Sequence, residues 1–128
     1  MKILLVSPCI DVERKTPDGL MIPQLALHIL EGLTPRSHQV TIVEEEVELV
    51  NPDADCDLVG ISCMTANAPR AYQLADDFRK RGKKVVLGGI HPTLLPDEAA
   101  SHADSVVMGE AEGVWEQLLE DCQKNTLK

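Results

Sequence analysis

The side chains able to do chemistry in this chain of 128 residues are four cysteines, four histidines and a few placed acids and hydroxyls. Cys9, Cys56, Cys63 and Cys122 lie far apart, with no Cys-x-x-Cys pair, so neither a zinc site nor an iron–sulfur cluster is legible. Cys9 could act as a nucleophile only with a base beside it, and no histidine is adjacent in sequence. His91 follows the pair Gly88-Gly89 and precedes Pro92-Thr93; it is either a hydrogen-bonding loop residue or a ligand. His28, His38 and His102 read as surface or structural.

Ser62 and Thr65 offer hydroxyls, Ser62 equally as a helix cap. Met64 offers either a soft apolar surface or core filling. Gly88-Gly89 lacks side chains, which suits a bulky ligand approaching the main chain or a tight turn. Glu110 and Glu112 could form a carboxylate pair, or Glu112 could stabilise the N-terminus of the last helix. The acids Glu44, Glu45, Glu46 and Glu48 read as a solvated face.

These residues need a scaffold, and hydropathy patterning supplies one. Lys2–Ser7 (KILLVS), His38–Glu44, Asp57–Ser62, Lys84–Gly88 and Asp104–Met108 read as short strands, the first apolar without alternation, as in a strand covered on both faces. Between them run helical stripes: Ile22, Leu25, Ala26, Ile29, Leu30 and Leu33; then Ala71, Leu74, Ala75 and Phe78, stopped at Gly82. A short helix is expected over Leu95–His102, and a last one striped by Val114, Trp115, Leu118, Leu119 and Cys122. Five strands alternating with helices predict an α/β, Rossmann-like (flavodoxin-like) three-layer sandwich with a parallel sheet ordered 2-1-3-4-5, one domain over residues 1–128. Ligands bind such sheets outside the carboxyl ends of the strands, here Ser7–Gly19, Ser62–Ala68, Gly88–Thr93 and Gly109–Glu112.

Composition narrows the ligand. Twelve basic against 21 acidic residues give a net charge of −9, and the only aromatics are Phe78, Tyr72 and Trp115, which argues against nucleic acid. No apolar run reaches the roughly 18 residues of a membrane span, and the absence of a signal peptide or disulfide framework leads us to expect a cytoplasmic protein. Ser7-Pro8-Cys9-Ile10-Asp11 contains no glycine, which excludes a dinucleotide fingerprint or a P-loop there. The ends of the first and third strands, Ser7-Pro8 and Ser62-Cys63, carry no acids to hold Mg²⁺ as a phosphoacceptor domain would, and no aromatics there would sandwich a flavin.

The loops taken together resemble a known family. Asp57–Thr65 (DLVGISCMT), Ala68–Tyr72 (APRAY), Val86–Thr93 (VLGGIHPT) with Pro96–Ala99 (PDEA), and Asp104–Glu112 (DSVVMGEAE) occur in order. They resemble the N-terminal cobalamin-binding domain of B12-dependent radical SAM enzymes, a family that includes anaerobic magnesium-protoporphyrin IX monomethyl ester cyclases and methyltransferases. The resemblance implies a domain holding cobalamin at the carboxyl edge of its sheet, with the nucleotide tail beside Ser62-Cys63-Met64 and Gly88-Gly89. On this chain's residues the implied contact set is Pro8, Cys9, Ser62, Met64, Thr65, Ala66, Gly88, Gly89, His91, Thr93, Gly109 and Glu110.

The Asp-x-His-x-x-Gly motif that supplies a cobalt ligand in B12 mutases is missing after the first strand, so the lower cobalt face is expected to meet residues 8–11 or 63–68, with His91 a remote alternative. The barrel with its Cys-x-x-x-Cys-x-x-Cys loop is also missing. S-adenosylmethionine and a [4Fe-4S] cluster would therefore belong to a radical SAM barrel acting in cis or in trans, and no turnover is expected from this chain alone. The alternative is a flavodoxin-like regulatory or protein-interaction module that binds no ligand.

Overall fold

The computed structural model describes residues 1–10 and 25–127. Its frame is a five-stranded, all-parallel sheet in the order β2-β1-β3-β4-β5, as the alternation of strand and helix signals predicts. The strands are β1 (Lys2–Ser7), β2 (Gln39–Glu44), β3 (Leu58–Ser62), β4 (Lys84–Gly88) and β5 (Ser105–Val106). The helices are α1 (Leu25–Leu33), α2 (Ala68–Lys80), α3 (Ile90–Leu94), α4 (Pro96–Ala100) and α5 (Trp115–Gln123), with one 3₁₀ turn at Thr65–Asn67.

Strand β1 is interior, between β2 and β3, and its side chains split between two cores with a period of two. Leu4 and Val6 join Val59, Ile61, Val85 and Leu87 beneath the buried stripe of α2, Ala71, Leu74, Ala75 and Phe78. Ile3 and Leu5 face the other way, with Leu58, Val86 and Val107, against Leu27 of α1 and Trp115, Leu118 and Leu119 of α5. Burial of these side chains at roughly 25 cal/mol per Å² of apolar surface is the main force holding helices to the sheet.

Three elements depart from expectation. In α1 the stripe is displaced: Leu27 is buried and Leu30 half-buried, while Leu25, Ile29 and Leu33 are exposed. Ile22 lies outside the described residues. The helix meets the sheet along a narrow line, which leaves space between it and α5. The short helix expected over Leu95–His102 is α4, but an unexpected short helix, α3, precedes it from Ile90 and is separated from it by a break at Leu95, so His91 sits on a helix and not in a loop. Pro96 sets this break, since its ring removes a donor and clashes with the preceding turn. Strand β5 is shorter than Asp104–Met108, although the Val107 amide still bonds the Leu87 carbonyl at 2.9 Å. No helix among the described residues is long and apolar enough to cross a membrane.

Candidate functional site

The space between α1 and α5 is a groove of about 210 Å³ that runs along the sheet toward the carboxyl ends of the strands. Its floor follows from strand register. Gly60 stands beside Leu5 on one side and Val86 on the other, and Ser62 stands beside Gly88. Gly60, Ser62, Val86 and Gly88 alternate with core residues and share one face. Three of the four are nearly devoid of side chain, so the sheet surface there is a trough. Leu27 and Leu30 form one wall and Trp115 the other; Gly109–Glu112 makes a rim at the open end.

The trough persists because bulk is excluded at particular places. A Cβ on Gly60 would lie 2.9 Å from Leu5 Cδ2 and 3.9 Å from the Trp115 ring. One on Gly88 would meet Val107 at an ordinary 3.7 Å, pointing into the groove side. Gly89 is different in kind: its φ of +112° with ψ of −169° is a backbone region nearly confined to glycine. A Cβ there would collide with the Cys63 carbonyl oxygen at 2.6 Å. Gly88 thus leaves room for something else, whereas Gly89 is required by the turn into α3.

Two loops meet at the carboxyl ends of β1 and β3, and buried polar groups lock them together. The Asn67 side chain, 3% exposed, accepts from the Met64 amide at 2.7 Å and donates to the Pro8 carbonyl at 3.2 Å. Glu45 is also buried, contrary to the expected solvated face of residues 44–48. It receives Arg70 through Nε at 3.0 Å and a terminal nitrogen at 2.8 Å, together with the amides of Val50 at 3.0 Å and Cys9 at 3.3 Å. Burial pushes the Glu45 carboxyl up, but the Arg70 hydrogen bonds and charge, with the Val50 and Cys9 amides, outweigh it and hold it below its usual range. One carboxylate thereby joins the ends of β1 and β2 to α2. The sequence signal was present but ambiguous, because an arginine 25 positions away announces no partner.

Cys9 and Cys63 are buried beside this junction. Burial, then the neighbouring Glu45 charge, raises the Cys9 thiol; burial, then Glu98, pushes Cys63 up to about 11. Neither is an activated nucleophile. His91 is 7% exposed with both ring nitrogens engaged, Nδ1 with Thr65 Oγ1 at 3.2 Å and Nε2 with Glu98 at 2.7 Å. Tyr72 bonds the same carboxylate at 2.8 Å and stacks on His102 at 4.2 Å. His91 therefore stands behind Thr65 as a support.

Of the sequence-derived set, Ser62, Gly88, Gly89, Gly109 and Glu110 line the groove. Met64, Thr65 and Ala66 are exposed on the adjoining edge, and Pro8 and Cys9 are buried under it. Thr93 bridges Gly89 and the Gly109 amide by bonds of 2.7 and 2.9 Å. The part of the Ser7–Gly19 segment beyond Ile10 lies outside the described residues. Glu112 sits on the groove rim, and the acid in the first turn of α5 is Glu116. Sequence reasoning missed Gly60 and Trp115; the signal was Gly60, Ser62 and Gly88 at same-face positions of paired strands.

The family model of the B12 binding domain matches residues 20–119. Two curated proteins of Chlorobaculum tepidum are similar. Bacteriochlorophyllide d C-8(2)-methyltransferase is 50% identical over 105 residues, covering 81% of this chain and 23% of the relative. Bacteriochlorophyllide d C-12(1)-methyltransferase is 36% identical over 129 residues, covering 99% of this chain and 28% of the relative. The chain therefore spans about a quarter of the length of these relatives. No solved structure matches.

Proposed function

This chain belongs to the B12 binding domain family, and we propose that it holds cobalamin at the carboxyl edge of its sheet as the cofactor domain of a methyltransferase. The observation that carries the reading is the small-residue trough of Gly60, Ser62 and Gly88 under Trp115, open toward that edge. It fits the cofactor's nucleotide tail in shape and character. An apolar cavity of about 150 Å³ accommodates a benzene-sized ring, and a groove of about 210 Å³ accommodates a fused bicyclic one. Ile10 and residues 64–66 then face the corrin, over the buried Pro8 and Cys9, with Asn67, Glu45 and His91 holding the two loops in position.

When bound, the cofactor supplies a cobalt centre able to carry a methyl group, while the protein contributes binding and orientation. Methyl transfer is favoured over porphyrin-ring cyclisation because both relatives are named methyltransferases. The substrate site, S-adenosylmethionine and a [4Fe-4S] cluster are assigned to a radical SAM barrel in cis or in trans, on the loop resemblance, and this domain alone turns nothing over. The single domain over residues 1–128 and a cytoplasmic setting complete the reading.

The test is a titration with hydroxocobalamin, followed by the visible spectrum, by retention through a desalting column and by quenching of Trp115, the only tryptophan. Stoichiometric retention, lost in Gly88→Leu while the circular dichroism spectrum is kept, is the expected outcome. Gly88 is the informative position, since Gly89→Leu would damage the turn whether or not a ligand binds. No retention at high micromolar cobalamin would overturn the reading in favour of a protein-interaction module.

A further inference from the structure

The closed end of the groove has an unusual poverty of hydrogen-bonding groups. Leu5, Leu27, Val86 and Val107 carry none, and Gly60 contributes only backbone already engaged between β1 and β4. Among the described residues the polar atom on that wall is the Trp115 indole nitrogen, which donates to Thr34 Oγ1 at 3.0 Å and is spent. Ser62 lies nearer the strand ends, and Glu110 and Glu112 lie on the exposed rim. Among the described residues, a ring lodged against Gly60 therefore meets apolar surface, and a donor or acceptor on its edge loses water without gaining a partner from them.

We infer that this groove selects the lower base of its corrinoid, accepting a benzimidazole or phenol and discriminating against a purine. The inference rests on the proposed placement of the nucleotide tail in the groove. Adenine brings an exocyclic amine and several ring nitrogens, all with unmet hydrogen bonds against Leu5, Val86 and Trp115. A dimethylbenzimidazole edge presents methyl groups instead, and a cresol base has no ring nitrogen. An apolar pocket rejects an added polar group by about ten- to hundredfold, so adeninyl cobamide should bind the chain that much more weakly than cobalamin.

The experiment compares four probes on the intact chain: cobalamin, phenolyl cobamide, adeninyl cobamide and cobinamide, which has no base. Affinity is read from Trp115 quenching, with equilibrium dialysis and corrin absorbance as an independent measure. Expected is tight binding of the first two and weaker binding of adeninyl cobamide and cobinamide. Leu30→Gln, on a half-buried wall position of α1, should then narrow the gap by giving the purine a partner. Equal affinity for adeninyl cobamide and cobalamin, with cobinamide weaker, would overturn the selection but keep the tail in the groove. Equal affinity for all four would remove the base from the groove while leaving corrinoid binding intact. Binding of none would sink the proposed function itself, and the inference with it.

Discussion

Replacing Arg70 by Met should be among the most damaging single changes in the chain, and the damage should depend on pH in a defined direction. The Glu45 side chain is fully enclosed and that of Arg70 only 14% exposed. Removing one partner of a buried pair costs about 3–5 kcal/mol, because the remaining charge is left uncompensated. Glu45 keeps the amides of Val50 and Cys9, so the lower end, about 3 kcal/mol, is the appropriate figure. For a domain of this size that corresponds to roughly 10 °C in Tm.

The sign with pH follows from the two folded-state carboxyls. In the native protein Glu45 titrates below its unfolded value, so its contribution is present above that value and is lost as pH falls through the folded one. In Arg70→Met the same carboxyl is buried without its cation and titrates above the unfolded value, so the variant loses stability as pH rises through it. The gap between the two proteins must therefore narrow on acidification. Urea denaturation at intervals from pH 8 down through the ordinary glutamate range to about pH 4 measures it, and Glu45→Gln with Arg70→Met closes a double-mutant cycle whose coupling should exceed about 1 kcal/mol. A loss below about 0.5 kcal/mol at pH 8, or a gap that widens toward acid, would refute the assignment of Glu45 as a buried anion held by Arg70.

Neighbouring glycines should separate cleanly in urea denaturation: Gly89→Ala destabilises by at least about 2 kcal/mol, from positive φ and the clash with the Cys63 carbonyl, whereas Gly88→Ala stays within about 0.5 kcal/mol. Asn67→Ala removes two buried bonds between the β1 and β3 loops, a loss of about 2 kcal/mol, and proteolysis should then cut near residues 8–10 faster. Cys9, Cys56 and Cys63 are buried with thiols pushed up, so a disulfide exchange reagent at pH 8 should label them only at the rate of opening, while half-buried Cys122 reacts first.

Sheet order and strand placement were legible because they depend on a signal the chain repeats: apolar runs buried on both faces, separated by helices with a single stripe. Strand β4 matches expectation residue for residue, and the buried stripe of α2 is the expected four residues preceded by Ala68. Helix α1 misled because Leu25, Ile29 and Leu33 form as good a stripe as the line through Leu27 and Leu30, and only the presence of α5 on the same face decides which is used. Glu45 misled for a related reason, since three acidic neighbours hide the one whose partner is brought to it by α2. Both errors concern a choice among equivalent residues that tertiary packing makes.

The site was legible in part for the opposite reason: it is written as missing side chains. Gly88-Gly89 drew notice as a pair, yet its two members answer to different constraints, one to the space over the sheet and one to the turn against Cys63. The trough becomes apparent once β3 is set in register with β1 and β4, which aligns Gly60 with Leu5 and Val86 and Ser62 with Gly88. A core that follows burial alone would fill those positions with valine or isoleucine, the residues that suit a parallel strand. Gly60 is the costliest of these omissions, since glycine in a strand interior forfeits both packing and backbone order, about 0.5–1 kcal/mol against alanine. That sacrifice makes sense if the space under Trp115 is filled in the working protein, and ligand binding then restores stability in proportion to its concentration over Kd. Cobalamin at a hundredfold excess over Kd should raise the unfolding free energy by about 2.7 kcal/mol, and Gly88→Leu, with its groove already occupied, should show no such gain.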